Sequence, residues 1–142
     1  MKREIIFRGK VKRPAKPIFG EILPDGTWVY GELHVTNRVP HIHDTPFSRQ
    51  PIDPETVGQY TGLNDSKCYP IYEGDILRVT SLQPETLGKK MNVAVEYDGG
   101  RAAFRVKNGV RFQQLGLCAL ENDVVIIGNI YDNPELLKGG KQ

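Results

Sequence analysis

VAVEYDGGRAAFRVKNGVR, residues 93–111, decides the fold. Val93, Val95 and Tyr97 share one strand face, and Ala102, Phe104 and Val106 do the same after Asp98-Gly99-Gly100. An apolar period of two on both sides of a glycine turn is the pattern of paired half-buried strands. Asn108-Gly109 then supplies the strongest hairpin signal in the chain and predicts a type I′ turn. Alternation sets Phe104 against the core and the neighbouring Arg101, Arg105, Lys107 and Arg111 toward solvent.

The same reading extends outward. Ile76-Leu77-Arg78-Val79 precedes this block and DVVIIGNIY, 123–131, follows it as a buried strand. Five short strands from about residue 71, joined by tight turns, predict an SH3-like barrel in the C-terminal half. Upstream, Glu4–Arg8 reads as a first strand, and VKRPAKPI, 11–18, as an edge or loop because of its two prolines. Asp25-Gly26 predicts a hairpin with arms 18–23 and 27–34. Its second arm carries Trp28 and Tyr30 on one face, Val29 and Leu33 on the other. The polar stretch 36–50, with Pro40 and Pro46, reads as a long loop. Asp53-Pro54-Glu55-Thr56 and Asn133-Pro134-Glu135 each pair a capping residue with a proline at the first helical position, so each predicts a helical turn. No window supports a long amphipathic helix. The expected fold is therefore mainly β, with an N-terminal hairpin and loop region over 1–66, a C-terminal barrel over 67–142, and one or two short helical turns. The two regions are compatible with one shared core.

Composition bounds the function. With 142 residues, 25% charged and 39% hydrophobic, the chain reads as globular. It has no apolar run near the ~20 residues of a membrane helix, and MKREIIFRGK lacks a secretory apolar region. These features predict a cytoplasmic protein with no membrane partner. Cys68 and Cys118 are then expected as free thiols.

Charge is unevenly placed. Residues 1–17 hold seven basic residues against Glu4 alone, a net +6, while the remainder carries −4. A basic segment beside strand aromatics suits a phosphate-bearing or acidic partner. Lys10, Lys12, Arg13, Lys16, Trp28 and Tyr30 are accordingly the predicted binding residues.

The chemistry of catalysis finds few footholds. His41 and His43 would share a strand face and chelate a metal only with further ligands, which the sequence does not fix. An exposed polar loop explains them more simply, and no metal or other cofactor is expected. Cys118, between Leu117 and Ala119, reads as core filler. Phosphate-loop patterns and a nucleophile elbow are missing. Glu73 and Asp75 read as charges on the solvated face at the start of a strand. No catalytic residues are predicted.

Five blocks in order carry a resemblance: Arg3–Lys10, Trp28-Val29-Tyr30-Gly31, Asp53 with Thr56–Leu63 (TVGQYTGL), Ile71–Ile76 (IYEGDI), and Ile127–Leu137 (IGNIYDNPELL). On these blocks the chain resembles the YopX-like family of phage and prophage proteins. Cys68-Tyr69-Pro70, 35–50 and 81–90 depart from the family pattern. The resemblance implies a largely β protein with an SH3-like C-terminal barrel and a phage or prophage origin. It brings no accepted enzymatic activity and no catalytic residues. The functional expectation is a non-enzymatic module that binds another macromolecule, with a protein or a second copy as partner. Nucleic acid held by the basic segment is the alternative, and a metal-dependent enzyme centred on His41 and His43 is a third reading.

Overall fold

The computed structural model describes residues 4–13 and 22–138. They form two compact units, the first ending at Tyr60 and the second starting at Thr61. Both are built from antiparallel β-sheet.

The first unit contains β1 (Phe7–Lys10), β2 (Trp28–Thr36), β3 (Val39–Thr45) and β4 (Ser48–Pro51), a 3-10 turn at Pro54–Thr56, and the start of β5 (Gly58–Asn64). Strand order is β4-β3-β2-β1-β5. Alternation along β2 sends Val29 and Leu33 inward, where Val11, Val29, Ile42 and Ile52 form a small buried core. Gln50 lies opposite Ile42. It is buried with its amide satisfied: its oxygen accepts the Leu23 N–H at 2.9 Å and its nitrogen donates to the Ser48 hydroxyl at 2.8 Å. A buried amide that is so satisfied avoids the desolvation cost of an orphaned group.

Two expectations change here. The stretch 36–50 is a pair of strands rather than a loop. Its prolines are accommodated: Pro46 falls in the turn between Thr45 and Ser48, and Pro40 contributes its carbonyl to the Ile52 N–H at 3.0 Å. The hairpin that delivers β3 turns at Asn37 and Arg38, both with positive φ (51° and 65°). Two such residues in a two-residue loop give the twist of a type I′ turn. The strand partner of Trp28–Gly31 is β1, with Lys10 opposite Trp28 and Arg8 opposite Tyr30. The expected first arm, 18–23, lies outside the described residues up to position 21, and Ile22-Leu23 are not strand. Asp53 caps the 3-10 turn as expected, accepting the Glu55 N–H at 3.1 Å.

The second unit holds the rest of β5, β6 (Pro70–Tyr72), β7 (Asp75–Ser81), β8 (Lys90–Asp98), β9 (Ala103–Asn108), β10 (Arg111–Gln114), α1 (Leu115–Glu121), β11 (Asn122–Asn129) and a 3-10 turn at Pro134–Leu136. Its five-stranded sheet has the order β10-β9-β8-β7-β11. Ile71, Leu77, Val93, Val95, Val106, Leu115, Cys118 and Val124 make the core. Each fully buried aliphatic side chain among them contributes about 1.5–3 kcal/mol.

The five expected strands are present, and no closed barrel is found. No pairing among the described residues joins β10 to β11. The physical reason is α1, which fills the connection and packs on β9, β10 and β11, burying Leu115 and Cys118. This helix was not anticipated. The Asn108-Gly109 hairpin forms, but only Gly109 has positive φ (60°), and the loop is Gly109-Val110. That is the II′ pattern rather than I′. β11 is an edge strand, and of its residues only Val124 is fully buried. Arg105 is not left to solvent: its guanidinium meets Glu96 at 3.2 Å and Asp98 at 3.4 Å, and lies 4.5 Å from the Phe112 ring centroid. Asp75 is buried rather than solvated, its carboxylate accepting the Tyr72 N–H at 2.8 Å across the turn.

Candidate functional site

In the first unit, alternation puts Trp28, Tyr30, Glu32 and His34 on the outer face of β2. β1 places Lys10 directly across from Trp28 and Arg8 across from Tyr30, two pairs along. The Arg8 guanidinium carbon is 4.8 Å and the Lys10 ammonium 5.6 Å from the Trp28 ring centroid. These are cation–π distances. Trp28 is thus half-buried on an outer face rather than in the core, with two cations against its ring, and Tyr30 beside it is exposed. Of the predicted binding residues, Lys10, Trp28 and Tyr30 come together.

The other three separate from that cluster. Lys12 is exposed, with its backbone N–H held by the Pro51 carbonyl at 3.0 Å. Arg13 is tied to the Asp25 turn: its backbone N–H meets the Asp25 carboxylate at 2.7 Å and its guanidinium at 3.9 Å. Lys16 lies outside the described residues.

Sequence reasoning missed how the histidines assemble. Register sets His34 opposite His41 and Glu32 opposite His43, so all four share a face. The His34 and His43 rings meet edge to face at 4.7 Å. His41 is only 8% exposed, which overturns the polar-loop expectation. Burial pushes its imidazole below the ordinary 6.5, the Arg49 charge adds to this, and a hydrogen bond with the Val39 carbonyl opposes it. Among the described residues no group of three or more His, Cys, Asp or Glu side chains is arranged to hold a metal ion. The signal that locates this face is the period-two spacing of 32, 34, 41 and 43, readable once residues 36–50 are known to be strands.

In the second unit the candidate surface is the β10 edge. Val110 is 92% exposed, Phe112 52%, Leu117 43% and Leu120 80%. They lie on β10, its preceding turn and α1. β10 pairs with β9 alone among the described residues, which leaves one side of its backbone open. Open edges with apolar neighbours are templates for strand addition.

Cys118 offers little for nucleophilic chemistry. Cys68 and Cys118 are both free. Burial pushes the Cys118 thiol up, a hydrogen bond from Asn122 opposes this, and the Glu121 charge adds to it. A thiol so placed forms little of the reactive thiolate.

No helix among the described residues is long and apolar enough to cross a membrane. A family model described as YopX protein matches residues 24–138, most of the chain. Among curated proteins none matches the sequence.

Proposed function

The chain belongs to the YopX family, and from that premise we propose that it is a phage- or prophage-encoded accessory protein. In this reading it acts without catalysis in the host cytoplasm by binding another macromolecule. The partner is a protein or a second copy of this chain. The observation that carries the reading is the β10 edge with exposed Val110, Phe112, Leu117 and Leu120 around it. Exposed large apolar groups on one edge mark association surfaces. The strand order of the second unit supports reading it as an SH3-like small barrel left open, since β11 returns to pair with β7, the first strand of a four-strand meander.

Light scattering on the purified chain, and capture of partners from infected cells, test the reading. Phe112→Lys with Leu120→Lys should abolish self-association or capture while the circular dichroism spectrum is kept. Unchanged mass and unchanged capture in that variant would reject this surface.

Nucleic acid remains the second reading, favoured by the Arg8–Trp28–Lys10 array. Cations against the ring compete with base stacking, so phosphate contact would dominate, with affinity falling steeply as salt rises. A gel-shift titration at low salt that shows no binding rejects it.

A further inference from the structure

The open sheet of the second unit leaves its interior reachable. A cavity of about 730 Å³ is lined by residues from β7, β8, β9, β10, α1 and the 81–90 loop. Its apolar lining includes Val79, Val93 and Val106. Val93 and Val106 are core residues at 5% and 4% exposure, so the cavity reaches the hydrophobic core itself. Its volume lies in the roughly 300–1,000 Å³ range of small-ligand sites.

Charge distinguishes the mouth from the floor. The charged lining residues are Lys89, Lys90, Arg111 and Glu121. Glu121 accepts a hydrogen bond from the Gln113 amide at 3.4 Å. Lys89, Lys90 and Arg111 are exposed and have no carboxylate partner among the described residues. Other polar lining groups are turned to one another: the Ser81 and Thr86 hydroxyls are 2.6 Å apart, and the Asn122 amide donates to the Cys118 carbonyl at 2.9 Å. The cavity therefore has an apolar floor, internally satisfied walls and a cationic rim.

We propose that this cavity is a binding site for a small amphipathic anion, an aromatic or medium-chain acyl carboxylate whose apolar body enters among Val79, Val93 and Val106 and whose charge stays at Lys89, Lys90 and Arg111. An apolar body gains from leaving water. A buried carboxylate would not, so the head group remains at the solvated rim. The cavity shares Arg111 and Phe112 of β10 with the partner surface proposed above, but its charge reversal at Lys89 and Lys90 lies off β10, so the two readings fail separately.

The test uses the full chain and two fluorescent probes of one shape, anilinonaphthalene sulfonate and its uncharged analogue phenylnaphthylamine. Saturable one-site binding of both is expected. The Lys89→Glu/Lys90→Glu variant should weaken the sulfonate about ten-fold, as attraction becomes repulsion at a solvated rim, and leave the neutral probe within about two-fold. Dodecanoate should displace the sulfonate. In a Cys68→Ser chain, dodecanoate should also slow thiol-reagent attack on Cys118, which lines the cavity. This last measurement separates cavity binding from dye uptake by a loosened fold. No saturable binding, equal loss of both probes in the charge-reversed variant, an unchanged sulfonate affinity, or unprotected Cys118 would each overturn the proposal.

Discussion

The Asp65 carboxylate accepts the Ile126 backbone N–H at 3.0 Å, fastening the 65–69 turn to β11 across sixty-one residues of chain. Its other oxygen takes the Lys67 and Tyr69 N–H groups, each at 2.9 Å, and the residue is 6% exposed. One buried side chain thus satisfies three backbone donors. Asp65→Ala should destabilise the second unit by about 3 kcal/mol, since charge-assisted bonds are lost and buried donors orphaned. Asp65→Asn retains an acceptor and should cost about half as much. Urea denaturation followed by far-ultraviolet circular dichroism reads both. A loss under about 1 kcal/mol for the alanine variant would show that water replaces the carboxylate.

Gly31 and Gly9 make a contrasting pair. A Cβ at Gly31 would collide with the His43 carbonyl, a backbone atom of the paired strand, whereas one at Gly9 would meet the Cγ2 methyl of Ile52. Side chains can repack and a hydrogen-bonded strand cannot shift cheaply, so overpacking costs about 1–3 kcal/mol at Gly9. Gly31→Ala should exceed that. Thermal melts of the two variants give the order, and equal shifts would refute it.

At the Asn37-Arg38 turn the expected change is a gain. Arg38 adopts φ 65°, a region that disfavours residues bearing a Cβ. Arg38→Gly creates the Asn-Gly pair that type I′ turns prefer. It should stabilise the first unit by up to about 1 kcal/mol. The urea midpoint measures this, and a lower midpoint would count against the turn assignment.

Acid should weaken the first unit through His41. Its imidazole titrates below 6.5 when folded, so the unfolded chain binds more protons in that window. Stability is then complete above pH 6.5 and declines as pH falls toward the lowered folded value, with a slope of at most about 1.4 kcal/mol per pH unit. His41→Gln should flatten the decline between pH 7.5 and 5. An unchanged slope in the variant would assign the effect to other groups.

These residues also show what the sequence could disclose. Turns announced by glycine or by a capping aspartate were legible, as Asp25-Gly26, Asp53-Pro54 and Asn108-Gly109 demonstrate. The Asn37-Arg38 turn was not, because nothing in arginine signals a positive φ, and Pro40 and Pro46 argued against β3 and β4, the strands that follow it. Helix α1 was hidden for another reason. Seven residues containing Gly116, with no side-chain cap at Gln114, sit below the length at which helical periodicity is readable. On β2 alternation separated Trp28 and Tyr30 from Val29 and Leu33. It could not say which set would be covered, since that depends on what packs against the sheet. The cluster Lys10–Trp28–Tyr30 needed β1 as the partner of β2, a pairing between segments some twenty residues apart that no local pattern specifies. The β10 edge and the cavity both follow from strands that do not close, and closure is a property of the assembled sheet.

β10 has only four residues, Arg111–Gln114. At about 3.3 Å per residue it offers roughly 13 Å of open edge, room for few ladder bonds. A partner strand laid there would be gripped chiefly by the side chains around it, and would come and go quickly. On the proposed reading such encounters would be brief and repeatable, and so short a strand avoids the runaway stacking that a longer bare edge would invite.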